Sequence, residues 1–193
     1  MNELLKNLTE AVGVSSGEQE IRQLILDLIK DHVDEWHVDA MGNLIALKKG
    51  TGASALRILV DVHMDEVGLM ITGYDGNGTL KFAPVGGFNE RTLLGKVVQV
   101  GPDKRIGVIG ARPVHLLDSS ERDSVVKLDT MRIDIGAKDK DAAKEKVKVG
   151  ELAAFVTVYE EVGQCAIGKA FDNRAGCAAF GGDCCGPRPI PST

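Results

Sequence analysis

The chain has 193 residues, of which 44% are hydrophobic and 26% charged, a composition typical of a globular protein with a substantial core. The formal net charge is −5 and no basic cluster stands out, which argues against nucleic acid as a partner. No apolar segment approaches the length of a membrane span, and the first residues are too polar for a signal peptide. We therefore expect no membrane contact and a cytoplasmic location.

The four cysteines all lie after residue 164 and show no C-x-x-C spacing. This pattern predicts free thiols rather than a zinc site or a disulfide framework. We interpret the histidines outside the motif described below, which are His32, His37 and His115, as structural.

Two amphipathic helices open the chain. Apolar residues recur at helical spacing over residues 1–12 and again over 21–29. Ser15 and Ser16 are each followed three residues later by Glu or Gln, which predicts a capping box in either register. Two strands, 36–38 and 44–47, follow, so the first part of the chain is predicted to be an α/β layer with mixed strands.

A third strand is predicted over residues 58–62 and leads directly into His63 and Asp65. Its continuous apolar run is the pattern of a strand buried on both faces of a helix-covered sheet. Ligands of open α/β sheets bind beyond the carboxyl ends of strands, and period-two alternation would point both side chains to one face. The carboxylate could then orient the imidazole or help to hold a metal. The alternative is a polar strand end in solvent, which spacing alone favours.

After Gly68 the pattern changes to short apolar runs separated by glycine-rich or polar turns, without a helical period. The predicted strands cover residues 69–74, 79–85, 96–100, 105–109, 131–135 and 152–158, and a short polar helix is predicted over 139–148. Residues 75–78, Asp-Gly-Asn-Gly, are typical of a hairpin turn that needs positive φ and lack the later ligands of a calcium loop. These features indicate a β-rich module.

The last part of the chain combines a helix start with an abrupt change in composition. Asp172 and Asn173 precede a run of small residues, which predicts a helix N-terminus packed against the sheet. From residue 181 onward, three glycines, three prolines and two adjacent cysteines replace the helical pattern. We predict no packed element over 181–193, and interpret the segment as a reading-frame change, an artificial end or a natural flexible tail.

The chain resembles the M42 family of metallo-aminopeptidases, relatives of glutamyl aminopeptidase that are sometimes labelled cellulase or endoglucanase. The resemblance covers residues 1–180, roughly the first half of a usual family member. Five motifs in the family's order support it, namely Asp39-Ala40-Met41-Gly42-Asn43, His63-Met64-Asp65-Glu66-Val67-Gly68, Gly107-Val108-Ile109-Gly110-Ala111-Arg112-Pro113, Ile133-Asp134-Ile135-Gly136-Ala137 and Phe171-Asp172-Asn173-Arg174.

The resemblance implies a mixed-sheet α/β peptidase domain that carries two divalent metal ions, zinc or cobalt. It also implies an inserted β-barrel-like domain used for assembly into a homo-oligomer. The expected divisions are residues 1–66 for the first part of the peptidase domain, 67–160 for the insert, 161–180 for the return to the peptidase domain, and 181–193 for an aberrant or disordered tail.

By the same resemblance, His63 is a ligand of one metal, Asp65 its supporting carboxylate in the catalytic site, and Asp172 the carboxylate that bridges both ions. Such an ion pair would polarise the scissile carbonyl and activate a bridging water. The implied reaction is the hydrolysis of N-terminal residues from peptide substrates. Family members continue to a Glu-Glu pair and further Asp and His ligands, which this chain lacks. The ligand set is therefore incomplete, and we expect the chain alone to be inactive.

Glu160 and Glu161 spell a similar acidic pair, but they precede Asp172 instead of following it. We predict that they form the exposed acidic end of the strand at 152–158. Adjacent strand residues point apart, which also argues against a glycosidase that uses this pair. Two alternatives to the peptidase interpretation stay open. They are a non-catalytic oligomerisation module built on the β-rich insert, and an inactive frameshift fragment.

Overall fold

The computed structural model of the protein describes residues 2–50, 52, 56–111 and 125–184. The helices are α1 (Asn2–Glu10), α2 (Gln19–Ile29), α3 (Lys140–Lys146) and α4 (Phe171–Cys184). The strands are β1 (Glu35–Val38), β2 (Leu44–Leu47), β3 (Gly68–Tyr74), β4 (Leu80–Val85), β5 (Val97–Val100), β6 (Arg105–Gly110), β7 (Arg132–Asp134), β8 (Leu152–Phe155), β9 (Glu160–Val162) and β10 (Cys165–Ile167). Two short 3₁₀ helices lie at Glu90–Thr92 and Leu128–Thr130.

The described residues form two compact units, each with its own hydrophobic core. The described residues up to 66 and from 158 to 184 form the first unit, and those between 67 and 157 form the second. The mixed α/β fold that we predicted is confirmed. None of the helices in the described part of the chain is long and apolar enough to cross a membrane.

The core of the first unit lies where the apolar stripes of α1 and α2 meet small residues of α4. Its buried members are Leu8, Ala11, Ile21, Ile25, Ile29, Cys177 and Ala178. A Cβ atom added at Gly181 would lie 2.4 Å from the side chain of Leu28, so the helices approach closely at this point. Both predicted N-terminal helices are confirmed, with α2 beginning two residues before its predicted range.

The predicted capping box before α2 is wrong. Glu18 occupies the cap position without a side-chain cap hydrogen bond, and its carboxylate instead accepts from the Ser16 amide at 2.7 Å. Ser16 has a φ of 75°, so its backbone turns away from the extended geometry in which a cap hydroxyl faces the first helical turn. The Ser15 hydroxyl bonds to Asp65 instead.

The predicted buried strand over residues 58–62 is also wrong. The segment has no strand pairing, and Ile58, Leu59 and Val60 are 79%, 90% and 55% exposed. An apolar run becomes a buried strand only when neighbouring strands pair with it and helices cover both faces. Among the described residues of this unit, β1 pairs with β2 and β9 with β10, which leaves no strand beside the segment.

The second unit is a closed six-stranded barrel in the order β3-β4-β7-β6-β5-β8, with β8 pairing both β5 and β3 in antiparallel fashion. Its interior is apolar and includes Leu69, Ile71, Leu80, Val98, Ile109 and Ile133. Alternation along β6 buries Gly107 and Ile109 and exposes their neighbours, the pattern of a one-sided strand. The predicted β-rich module therefore closes on itself, which removes its sheet edges.

The predicted hairpin turn at 75–78 is confirmed. It joins β3 to β4, with the Asp75 amide donating to the Thr79 carbonyl at 2.9 Å and the Gly78 amide to the Asp75 carbonyl at 3.1 Å. Gly78 has a φ of +86°, a conformation that glycine adopts at little cost. The corresponding turn at 39–43 joins β1 and β2, and the Asp39 carboxylate accepts from the Met41 and Asn43 amides.

Candidate metal centre

The structure brings the three predicted site residues together. His63 Nδ1 lies 2.9 Å from Asp65 Oδ1, and His63 Nε2 lies 2.9 Å from Asp172 Oδ1. His63 and Asp172 are 109 residues apart in the chain. The side chains of His63 and Asp172 are 53% and 96% exposed, so the cluster faces solvent.

The two carboxylates favour the protonated form of His63. An ionised carboxylate only accepts hydrogen bonds, so both contacts are satisfied at once when both imidazole nitrogens carry protons. The hydrogen bond to Asp172, with a second from Asp65, raises the pKa of His63 above its ordinary value. The Ser15 hydroxyl, followed by His63, holds the pKa of Asp65 below its ordinary value.

Ser15 is a site residue that the sequence reasoning missed. It lies in the loop between α1 and α2, where a serine before a helix is more often a cap. Its Oγ instead donates to Asp65 Oδ2, while Asp65 Oδ1 faces His63. Each carboxylate oxygen of Asp65 therefore has its own partner, and Asp65 contacts the imidazole on its Nδ1 side. Only the tertiary contact between residues 50 positions apart identifies this role.

The start of α4 presents Asp172. Asp172 and Asn173 have non-helical backbone angles, and the Asn173 side chain accepts from the Gly176 amide at 3.0 Å. This bond satisfies one of the amides left free in the first helical turn, so Asn173 acts as the cap. The predicted start of the helix is confirmed, but its buried residues pack against α1 and α2 and not, as predicted, against a sheet. Asp172 precedes the first regular turn, with its carboxylate in solvent.

Three buried charged residues lie beside the site in the chain. Lys169 Nζ lies 2.6 and 2.8 Å from the two carboxylate oxygens of Glu66, and Arg174 Nη1 donates to the Leu8 carbonyl at 2.5 Å. Sequence reasoning missed this cluster, although each member is within three positions of Asp65 or Asp172. Burial lowers the pKa of both Lys169 and Arg174, while the nearby Glu66 opposes that change.

His63 and Asp172 fit part of a metal site. One imidazole nitrogen and one carboxylate oxygen, 2.9 Å apart and both open to solvent, are donors that suit zinc or a similar divalent ion. A zinc ion usually takes four ligands, so this pair supplies two. Within the described ranges, no group of three His, Cys, Asp or Glu side chains is placed to hold a metal.

The remaining residues considered from the sequence lie apart from this cluster. Glu160 and Glu161 are exposed as predicted, but they begin β9, which pairs with β10, rather than ending β8. Cys165 and Cys177 are free thiols. His32 and His37 are exposed. The prediction of no packed element over 181–193 is wrong for residues 181–184, which belong to α4. His115, the side chain of Cys184 and residues 185–193 lie outside what the structure describes.

Comparison with known proteins identifies the family of the chain. A model of the family described as M42 glutamyl aminopeptidase matches residues 42–181. The lysyl aminopeptidase of Pyrococcus furiosus is 34% identical over 84% of this chain and 47% of its own length. A TET aminopeptidase from a marine sediment Thaumarchaeota archaeon has 34% identity and a TM-score of 0.88 over 94% of this chain and 52% of that one.

A third protein, the Pyrococcus horikoshii TET1 peptidase, is 42% identical with a TM-score of 0.81 over 93% of this chain and 54% of that one. It is described as able to assemble into a tetrahedron or a large octahedral shell. This chain spans about half the length of the curated relatives that it matches. Because the family match covers most of the sequence, the chain belongs to the M42 peptidase family.

Proposed function

We propose that this chain supplies the first ligands of the metal site of an aminopeptidase, which removes N-terminal residues from peptides. The observation that carries the proposal is the convergence of His63, Asp65 and Asp172, at 2.9 Å contacts, in a member of a family of aminopeptidases. His63 and Asp172 would hold the metal. The peptidase domain would comprise residues 1–66 and 161–180.

Asp65 would act through His63 in this arrangement. A metal-binding imidazole commonly donates its second N–H to a carboxylate, which fixes its tautomer and orientation. Asp65 is placed for this role because its Oδ1 faces Nδ1 and its Oδ2 is held by Ser15. His63 would give up the proton on Nε2 on binding a metal and keep the proton that faces Asp65. Metal binding should therefore weaken as the pH falls.

Asp172 would serve both of two divalent ions, zinc or cobalt, and His63 one of them; such ions would supply the Lewis acid that peptide hydrolysis needs. The exposure of the Asp172 carboxylate supports this role, since one oxygen faces His63 and the group is otherwise open to solvent. Two ligand side chains are fewer than a tight site needs. We therefore expect weak binding by this chain and little turnover.

The first test is a titration of the chain with Co²⁺, followed by calorimetry and visible absorption. We expect His63→Ala and Asp172→Ala to abolish binding, and Asp65→Asn to weaken it by about 10- to 100-fold, as for other carboxylates behind a metal-bound histidine. The matched control is His37→Ala, which removes an exposed histidine from β1 of the same unit. Equal binding by the wild type and His63→Ala would contradict the assignment.

Hydrolysis is best tested in a chimera in which residues 1–180 replace the matching half of the Pyrococcus furiosus lysyl aminopeptidase. We expect the chimera to release p-nitroaniline from aminoacyl p-nitroanilides in the presence of Co²⁺ or Zn²⁺. We also expect His63→Ala, but not His37→Ala, to abolish that activity. A folded chimera that keeps its activity after His63→Ala would show that this residue is not part of the catalytic site.

A second candidate function is assembly through the barrel, with residues 67–160 as the assembly domain. It is supported by the closed strand order and separate core of the second unit, and by the shells described for the horikoshii TET1 peptidase. Multi-angle light scattering of the chain should then show a homo-oligomer of defined mass. A monomer at all concentrations tested would count against assembly by this part of the protein.

A further inference from the structure

Glu66, Lys169 and Arg174 form a buried charged cluster, with side chains 4%, 8% and 0% exposed. Lys169 Nζ contacts both oxygens of Glu66, at 2.6 and 2.8 Å, and also the Ala11 carbonyl at 3.2 Å. Arg174 Nη2 is 4.0 Å from Glu66, and Arg174 Nη1 binds the Leu8 and Ala11 carbonyls. The cluster thus holds one carboxylate and two cations away from water.

The position of the cluster in the chain connects it to the candidate metal centre. Glu66 follows Asp65 directly, and Lys169 stands three residues before Asp172. The Glu66–Lys169 pair therefore ties together the two segments that carry the site. Glu66 also accepts from the Gly13 amide at 3.1 Å, and its own amide donates to the Gly13 carbonyl at 2.8 Å. This contact fixes the loop that carries Ser15.

The other links between these segments are weaker or belong to the site itself. Cys177 Sγ lies 3.4 Å from the His63 carbonyl, at the distance of a weak thiol hydrogen bond. Arg174 makes its short contacts with the end of α1 rather than with residues 63–66. In the described part of the chain, Lys169 thus makes the closest charged contact between residues 63–66 and the segment that leads into α4, apart from the His63–Asp172 pair.

Stability alone is a poor explanation for the pair. The free energy needed to remove two charges from water is about as large as the free energy gained from their attraction. Apolar residues of similar size therefore often stabilise a protein as much as a buried ion pair does. Buried polar pairs in some proteins instead select one arrangement of the segments that they join. Here the ammonium of Lys169 binds both carboxylate oxygens of Glu66, and Glu66 also bonds to Gly13. These contacts fix the position of Glu66 relative to Lys169 and Gly13.

We propose that Glu66 and Lys169 are positioning residues that set the placement of Asp172 relative to His63, and through it the affinity of the candidate metal centre. The part of this proposal that concerns metal rests on the proposed function. The positioning itself is a property of the metal-free chain and can be measured without metal.

The test compares Lys169→Met with Lys30→Met. Both variants replace a lysine that pairs with a carboxylate, but Lys30 pairs with Asp27 on the exposed face of α2. Ring ¹⁵N spectra of histidine-labelled protein at one fixed pH report the surroundings of His63, whose signals are assigned from their loss in His63→Asn. We expect Lys169→Met to shift these signals by an amount of the same order as Asp172→Asn. Lys30→Met should leave them in place.

Co²⁺ titrations then separate this proposal from the proposed function. We expect Lys169→Met to bind Co²⁺ about 10- to 100-fold more weakly than the wild type, and Lys169→Arg, which keeps the cation, to recover most of the affinity. If Lys169→Met shifts the His63 signals but the wild type binds no Co²⁺, the metal site is refuted and the positioning is supported. Unchanged signals and affinity in a folded Lys169→Met protein would overturn the positioning role.

If Lys169→Met does not fold, Glu66→Asp provides the same test. Aspartate keeps the negative charge, but its side chain is one methylene group shorter. The ammonium of Lys169 must then move toward the carboxylate, or the contact is lost. The proposal requires the His63 signals to shift in this variant as well. A lower unfolding midpoint with unshifted His63 signals would show a purely structural role and overturn the proposal.

Discussion

His63 lies between two carboxylates, and this position makes its contribution to stability dependent on pH. The histidine pKa is raised, first by Asp172 and then by Asp65. The charged imidazole is thus stabilised in the folded state. Its contribution to the free energy of unfolding is fully present below the pKa of the unfolded chain, about 6.5, and is lost as the pH rises through the higher folded value.

Asp172→Asn tests this electrostatic assignment. Removing Asp172, whose hydrogen bond is the largest single cause of the shift, should lower the pKa of His63 toward its ordinary value of about 6.5, because only Asp65 then favours the charged ring. An NMR titration of the His63 ring measures the change, with exposed His37 as an internal reference. An unchanged pKa in Asp172→Asn would contradict the contact between Asp172 and the ring of His63.

Asp65 shows the opposite dependence on pH. Its pKa is lowered, first by the Ser15 hydroxyl and then by His63. Its contribution to stability is present above the unfolded pKa of an aspartate, about 3.9, and is lost as the pH falls through the lower folded value. Both contributions are thus present between about pH 3.9 and 6.5; that of His63 is lost at higher pH and that of Asp65 at lower pH.

For helices and strands, the periodicity of apolar residues predicted the type of each element better than the residues at which it begins and ends. Helices α1 and α2 and the barrel strands appear where apolar residues recur with period 3.6 or 2, because that recurrence places one face on a core. The capping box failed because a Ser15 hydroxyl bonds equally well to a distant carboxylate, and sequence spacing contains no information about that competitor.

The hairpin between β3 and β4 allows a prediction at this scale. In Gly78→Ala, the new Cβ would lie 2.2 Å from the Ala137 carbonyl oxygen, at a φ of +86°. We expect a loss of roughly 2 kcal/mol or more in the free energy of unfolding, from backbone strain and overpacking together. Urea denaturation measures the change.

Gly76→Ala is the matched control in the same turn. A Cβ at Gly76 would meet nothing within 4 Å, and this glycine is not among those with positive φ. The change in its free energy of unfolding should stay within about 0.5 kcal/mol, as for an ordinary surface substitution. Equal losses for the two variants would show that the turn does not require its left-handed residue at position 78.

At the scale of the whole molecule, the exposed apolar segment before His63 should affect solubility. Ile58, Leu59 and Val60 are consecutive in this part of the first unit and open to solvent. Unpaired apolar backbone of this kind promotes association between chains. We expect the 193-residue chain to be poorly soluble, and this segment to be a cause.

Leu59→Lys tests that expectation. A charge in the middle of the segment should reduce turbidity and raise the soluble fraction, because it opposes strand pairing between molecules. Met41→Lys is the control, since Met41 is 86% exposed but stands alone in the β1–β2 turn. Equal improvement by both variants would indicate a general effect of charge rather than association through this segment.

The sequence by itself determined the fold class, the β-rich module, the hairpin turn and the three residues of the candidate site. Each of these depends on local periodicity, on turn residues or on motifs in a recognisable order. Tertiary structure alone decided that residues 58–62 stay unpaired, that Ser15 holds Asp65, and that Glu66 and Lys169 join the two site segments. Pairing, burial and hydrogen-bond partners depend on residues distant in the chain, and local sequence patterns do not specify which of them meet.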